Sequence, residues 1–194
     1  MELIAISGGI GSGKSIVSKV VRVMGYPVYD CDSRAKSLMI MSDEVRRQMV
    51  EAFGQECYRD DGGLNREYLS AAVFGNDEAL ARLNGIVHPA TARDMLLWAK
   101  QQEERGAVKA FVETALLHTS RLDHLVDMVW HVSAPTRLRV KRVMTRSQLT
   151  SQQVHDRMAA QAIEEEPAAG EQVIINDDVN AVLPQVIKLI RNNQ

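Results

Sequence analysis

Gly8-Gly9-Ile10-Gly11-Ser12-Gly13-Lys14-Ser15 is the stretch that decides how this chain is read. The apolar residues 3–7 precede it, and residues 15–24, with apolar positions at helical intervals, follow it. The order is therefore strand, loop, helix. Gly, four residues and then Gly-Lys-Ser is the spacing of a phosphate-binding loop. Its glycines let the backbone wrap so closely that successive amide N–H groups point inward at phosphate oxygens. The helix starting near Gly13 adds the positive end of its dipole. In such a loop Lys14 reaches the β- and γ-phosphates of a nucleoside triphosphate, and the Ser15 hydroxyl holds magnesium. Gly9, Gly11, Ser12, Gly13, Lys14, Ser15 and Ile16 are the candidate nucleotide-contacting residues, and Ser15 is the candidate metal ligand.

Working outward, residues 26–29 form a second short strand that ends at Asp30 and Asp32. Both strands are too apolar for a solvated edge, which predicts a parallel sheet covered by helices. Residues 33–105 then read as helices at 33–41, 43–53, 66–74, 77–87 and 90–105, broken at Gly54 and at Asp60-Asp61-Gly62-Gly63. So long a helical block exceeds what a strand-to-strand crossover needs, and it is taken as an insertion holding a second substrate. Strands return at 108–113, 128–133 and 172–176. Residues 135–146 and 151–163 form a basic helical hairpin that turns near Gln148-Leu149. Glu164-Glu165-Glu166-Pro167 reads as a solvated helix end. The tail 178–192 is helical, with Pro184 near its start or kinking it. The expected fold is α/β, a doubly wound, five-stranded parallel sheet. Its core is assigned to 1–32, 106–134 and 170–194, the insertion to 33–105 and a lid to 135–166.

Composition narrows the function. The chain has 194 residues and a formal net charge of −2, so no overall basic excess calls for nucleic acid or an anionic membrane. An anionic ligand must be held by a local site. The two cysteines, Cys31 and Cys57, have no metal-ligand or disulfide spacing and read as reduced thiols. No signal peptide or membrane-spanning run is apparent, so the cytoplasm is the expected compartment.

A guanine-nucleotide switch calls for Asn-Lys-x-Asp, which is absent. An ATP-driven motor calls for a strand ending in paired carboxylates, and Lys109–Glu113 offers only Glu113. Small-molecule kinases place a carboxylate after the second strand and close a basic segment over the transferring group. Asp32 is so placed, although it could also cap the following helix. Arg137, Arg139, Lys141, Arg142 and Arg146 supply the basic helix, and positions 139, 142 and 146 share one side of it. Such a helix is either a solvated face or a source of cations for phosphoryl transfer.

Several motifs, in order along nearly the whole chain, resemble the dephospho-CoA kinase family. They are Ile6–Ser15, Val28-Tyr29-Asp30-Cys31-Asp32, Ile86-Val87-His88-Pro89, Val132-Ser133-Ala134-Pro135 through Arg139, Arg142 and Arg146, Ser151–Gln161, and Val173-Ile174-Ile175-Asn176. Three places depart from the family pattern. Ile16 stands where Thr is usual, Lys36 where Arg is usual (with Arg34 nearby), and Ala115-Leu116-Leu117-His118-Thr119 where the family has Pro-Leu-Leu-x-Glu. Glu113 is taken as the acidic group near that missing glutamate.

The resemblance implies a P-loop kinase with ATP and Mg2+, transferring the γ-phosphoryl to the 3′-hydroxyl of dephospho-CoA in the last step of coenzyme A biosynthesis. It assigns Lys14, Asp32, Arg139 and Arg142 as catalytic, with Asp32 orienting the hydroxyl and taking its proton. His88 either contacts the acceptor or is structural. Tyr68, Phe74 and Trp98 are either acceptor contacts or core. A monomer or small homo-oligomer with no nucleic-acid or membrane partner is expected. A nucleoside or nucleotide kinase of the same fold, or a nucleotide-dependent regulator without transfer activity, are the other readings.

Overall fold

In the computed structural model, which describes residues 1–192, the chain divides into two compact units, residues 1–30 with 99 onward, and Cys31–Trp98. The first is built on five parallel strands, β1 (Glu2–Ser7), β2 (Val28–Asp30), β3 (Lys109–Glu113), β4 (Met128–Ser133) and β5 (Gln172–Ile175). Their order across the sheet is β2-β3-β1-β4-β5. The middle strand β1 pairs with β3 from Glu2↔Lys109 to Ile6↔Glu113 and with β4 from Ile4↔Met128 to Ser7↔His131. Leu3 through Ser7 are all buried, as an unbroken apolar strand covered on both faces requires. The five-stranded parallel sheet expected from the sequence is the one found.

Helix α1 (Lys14–Val23) and the tail helix α8 (Val182–Asn192) turn Val17, Val21, Val186 and Ile190 onto Ile4, Ile6, Phe111, Trp130, Val132 and Ile174. The Phe111 and Trp130 rings lie 5.0 Å apart. Both are fully buried, so truncating either to alanine would cost about 3–5 kcal/mol. Pro184 is the third residue of α8. The first-turn N–H groups have no intrahelical partner, so the ring is tolerated there without a kink. Helices α6 (Thr136–Ser147) and α7 (Ser151–Ala159) join through Gln148 in the left-handed region, φ 54°, and pack through Val143, Val154 and Met158.

The second unit is helical: α2 (Cys31–Met41), α3 (Asp43–Phe53), α4 (Arg66–Val73) and residues 77–98 of α5 (Asp77–Glu104), with only an isolated bridge, Tyr58↔Leu64, of strand character among its described residues. Ser42 caps α3 by accepting from Val45 N, and Asn65 caps α4 by accepting from Tyr68 N. Val45, Met49, Cys57, Leu69 and Ala90 form its core. The expected break at His88-Pro89 does not occur, because α5 runs through Pro89 as one helix of 28 residues. Proline deprives the carbonyl four residues back of its donor. That residue is Gly85, which is exposed, so the freed carbonyl is open to water. Two residues after the proline, Thr91 Oγ1 donates to Val87 O at 2.9 Å, a further bond holding this turn together.

Candidate active site

β1 delivers the chain at its carboxyl end into residues 8–13, and α1 starts at Lys14, the place where open α/β sheets bind ligands. Gly13 is the residue before the helix, with φ 100°, and a side chain there would collide with Asn176 Nδ2. Asn176 Nδ2 donates to Ser12 O at 2.8 Å, so the residue after β5 helps fix the loop. The first turn of α1 carries no carboxylate, which leaves its N-terminal field positive. Ser15 and Ile16 are exposed in that turn, whereas Ser12 is buried and its Oγ has no hydrogen-bond partner.

Three cations converge on the loop's carbonyls. Lys14 Nζ donates to Gly8 O at 2.7 Å and Gly9 O at 3.3 Å. Arg139 Nε donates to Ile10 O at 2.9 Å. Arg142 Nη1 lies 3.5 Å from both Gly11 O and Ser12 O. Five successive carbonyls therefore face positive charge, and of the loop's amides that of Ser12 donates to Gly9 O at 3.2 Å. Arg139, only 4% exposed, is also gripped by both carboxylate oxygens of Glu165. Arg142 Nη2 reaches Asn176 O at 3.1 Å and Asp178 Oδ1 at 2.5 Å. Arg146, Arg137 and Lys141 are exposed, and among the described residues of the basic helix the hydrogen bonds to the loop come from Arg139 and Arg142.

Carboxylates stand on the neighbouring strands. Asp30 and Glu113 end β2 and β3 and face each other in the ladder. Like the Ser15 hydroxyl, these carboxylates are oxygen groups, the donor type that suits a magnesium ion. Asp32 is exposed in the first turn of α2, as its second residue rather than a cap preceding it. Arg34 is forked onto Asp94, at 2.9 and 2.6 Å, and so is committed within the helical unit. Burial holds the His88 imidazole below its ordinary range. Tyr68 spends its hydroxyl on Phe53 O, whereas Phe74 is 87% exposed.

The acidic run at 164–166 is not the solvated helix end expected from sequence. Glu164 is fully buried at the end of a 3-10 turn, Ala162–Glu164. Its Oε1 accepts from His118 N and Thr119 N, both at 2.9 Å, and from Thr119 Oγ1 at 3.1 Å. Ser7 Oγ lies 3.5 Å from Oε2. These donors are what make a buried carboxylate tenable. The carboxylate at Thr119 is thus Glu164, while Glu113 stays at the end of β3. Beside it His131, paired with Ser7 in the sheet, is buried and lies 3.5 Å from Glu171, which in turn meets His118 at 3.1 Å. Burial pushes the His131 imidazole below its ordinary range, against the opposing pull of Glu171. An acidic run before proline gives no sequence signal of such burial, because tertiary partners alone decide it.

The dephospho-CoA kinase family model matches residues 2–182. A dephospho-CoA kinase of Porphyromonas gingivalis is 36% identical over 192 residues, covering 98% of this chain and 93% of its own. One from Salinibacter ruber is 41% identical over 167 residues, covering 86% and 83%. The solved dephospho-CoA kinase of Campylobacter jejuni superposes with a TM-score of 0.71 over 100% of this chain and 98% of its own, and at 22% identity that likeness speaks for the fold.

Proposed function

The chain belongs to the dephospho-CoA kinase family, and from that premise we propose how its residues divide the transfer of a phosphoryl group from ATP to dephospho-CoA. The amides of residues 9–16 other than Ser12 and Ile16, which donate to Gly9 O and Gly13 O, hold the triphosphate together with Lys14. The observation that carries this division is the convergence of Lys14, Arg139 and Arg142 on the carbonyls of Gly8 through Ser12. Phosphoryl transfer develops charge on the equatorial oxygens, and cations already gathered at the loop stabilise that charge with little reorganisation. With nucleotide bound, Arg142 turns from the carbonyls toward the phosphates, while Arg139 stays beside the loop in the grip of Glu165. Residues 135–166 act as the lid that excludes water from them.

Magnesium belongs to the same proposal. The Ser15 hydroxyl would hold it, with Asp30 and Glu113 nearby as oxygen groups, and when bound it would neutralise charge on the β- and γ-phosphates. Asp32 orients the 3′-hydroxyl of the acceptor ribose and takes its proton as the new bond forms. Residues 33–105 hold the acceptor, and the exposed Phe74 is an apolar contact open to it. Two buried cysteines that form no disulfide among the described residues support a reducing, cytoplasmic setting, and no helix among the described residues is long and apolar enough to cross a membrane.

Asp32→Asn tests the assignment. Losing a general base lowers turnover by about 10²–10⁴-fold. ATP affinity, measured separately by titration calorimetry, is expected to hold. Near-normal turnover of the variant would remove Asp32 from the chemistry.

A further inference from the structure

Glu164 and Glu165 are neighbours in sequence that do different things, and their sequence adjacency links two parts of the first unit. Glu164 fixes the chain: fully buried, it accepts from two consecutive amides and a hydroxyl at 118–119 and approaches the hydroxyl of Ser7, the residue that leads into the phosphate loop. Glu165, one residue on, is partly exposed and binds the Arg139 guanidinium through both carboxylate oxygens. Arg139 in turn rests its Nε on Ile10 O, and its guanidinium together with Glu165 Oε1 lies over Gly9. A continuous path thus leads from a buried carboxylate, through one peptide unit and an ion pair, to the cation above the loop.

We propose that Glu164 is a positioning residue for the kinase reaction, acting through Glu165 to set where Arg139 stands over the phosphate loop. A buried carboxylate with one oxygen shared by three donors is a rigid anchor, since moving it would leave those donors and the charge unsatisfied. Glu165 inherits that rigidity through the backbone, so its grip on Arg139 is directional. The cation is then held within reach of the loop before nucleotide arrives, and the cost of ordering a long side chain is met on folding. The inference rests on the assignment of Arg139 to the transfer site.

The test is a double-mutant cycle on the full chain, with kcat and KM for ATP and dephospho-CoA and the melting temperature measured for each variant. Glu164→Ala is expected to lower kcat by about tenfold, with KM for dephospho-CoA nearly unchanged, in the way of an interaction made in the transition state. In an Arg139→Ala background the same change is expected to have almost no further effect, because residues acting as one unit are non-additive. Glu164→Gln, which keeps an oxygen for the three donors, is expected to recover most of the lost turnover. If Glu164→Ala does not fold, Thr119→Val takes its place in the cycle, removing one donor while keeping shape, with a smaller kcat loss that also vanishes without Arg139. A kcat loss of equal size in both backgrounds, or an unchanged kcat in every folded variant at Glu164 and Thr119, would overturn the proposal. An Arg139→Ala variant with wild-type turnover would instead overturn the assignment of Arg139 itself, and this inference with it.

Discussion

At the scale of single residues, the site is a division of charge around one short loop. Lys14, Arg139 and Arg142 face the carbonyls of Gly8 through Ser12, and Glu165 and Asp178 hold the two guanidinium groups in place. Arg142 is the more exposed of the two and bonds to the turn after β5, so it has the freer path to a bound triphosphate. Arg142→Ala is expected to lower kcat by about 10²-fold, the loss seen when one transition-state donor is removed. KM for ATP is expected to change little, because the loop amides and Lys14 supply ground-state binding. Steady-state kinetics decide the matter: a raised KM at unchanged kcat would make Arg142 a binding residue only. Lys14 and Ser15 were legible from their spacing, and Arg139 and Arg142 from their place after the fourth strand. Glu164 and Glu165 were not, because three successive glutamates before proline look the same in sequence whether they face water or accept buried amides.

At the scale of elements, the strands were the most legible part, since Leu3–Ser7 and Ala110–Val112 are buried throughout and read as unbroken apolar runs. The hardest was α5. Pro89 argues for two helices, and the loss of one hydrogen bond would ordinarily end the first. An exposed Gly85 four residues earlier lets the helix continue at low cost, a circumstance visible only once the exposed side of α5 is known. The α6–α7 hairpin turns at Gln148, where sequence placed the bend, and α7 is then started by a capping box in which Thr150 and Gln153 satisfy each other's backbone N–H. Thr150→Ala removes one half of that box and is expected to cost about 1 kcal/mol. For a chain of this size that lowers the melting temperature by about 2–4 °C. Scanning calorimetry checks it, and an unchanged melting temperature would mean that the box contributes nothing to the hairpin.

At the scale of the whole molecule, charge and protonation set the conditions under which the fold persists. Burial lowers the affinity of His131 and His88 for protons relative to the ordinary value of 6.5. The unfolded chain therefore binds more protons than the native one as pH falls below that value. The stability these neutral imidazoles contribute is present in full above it and is lost on acidification through the depressed native values. His131 faces Glu171, Glu166, Lys14 and the backbone of Glu165, so its surroundings pull both ways, with burial the largest influence. Melting temperatures are expected to be level above about pH 7 and to fall as the pH drops below about 6.5, with a shallower fall in a His131→Gln variant. A melting temperature that rises on acidification in this range would contradict the burial account. The order of strands and helices was legible in the sequence because each alternation carries its own periodicity. The histidine and glutamate contacts behind the loop were not, since residues 118, 131, 164 and 171 meet only through the folded sheet.

The proposed role of the cations and carboxylates around this loop is transfer from ATP to one acceptor, dephospho-CoA. Its most direct test is ADP release by the purified protein with ATP and magnesium, in parallel with dephospho-CoA, AMP, CMP, dTMP or no acceptor. The account requires rapid turnover with dephospho-CoA alone and only background release in the other four. Comparable turnover with a nucleoside monophosphate, or ADP release that needs no acceptor, would contradict it.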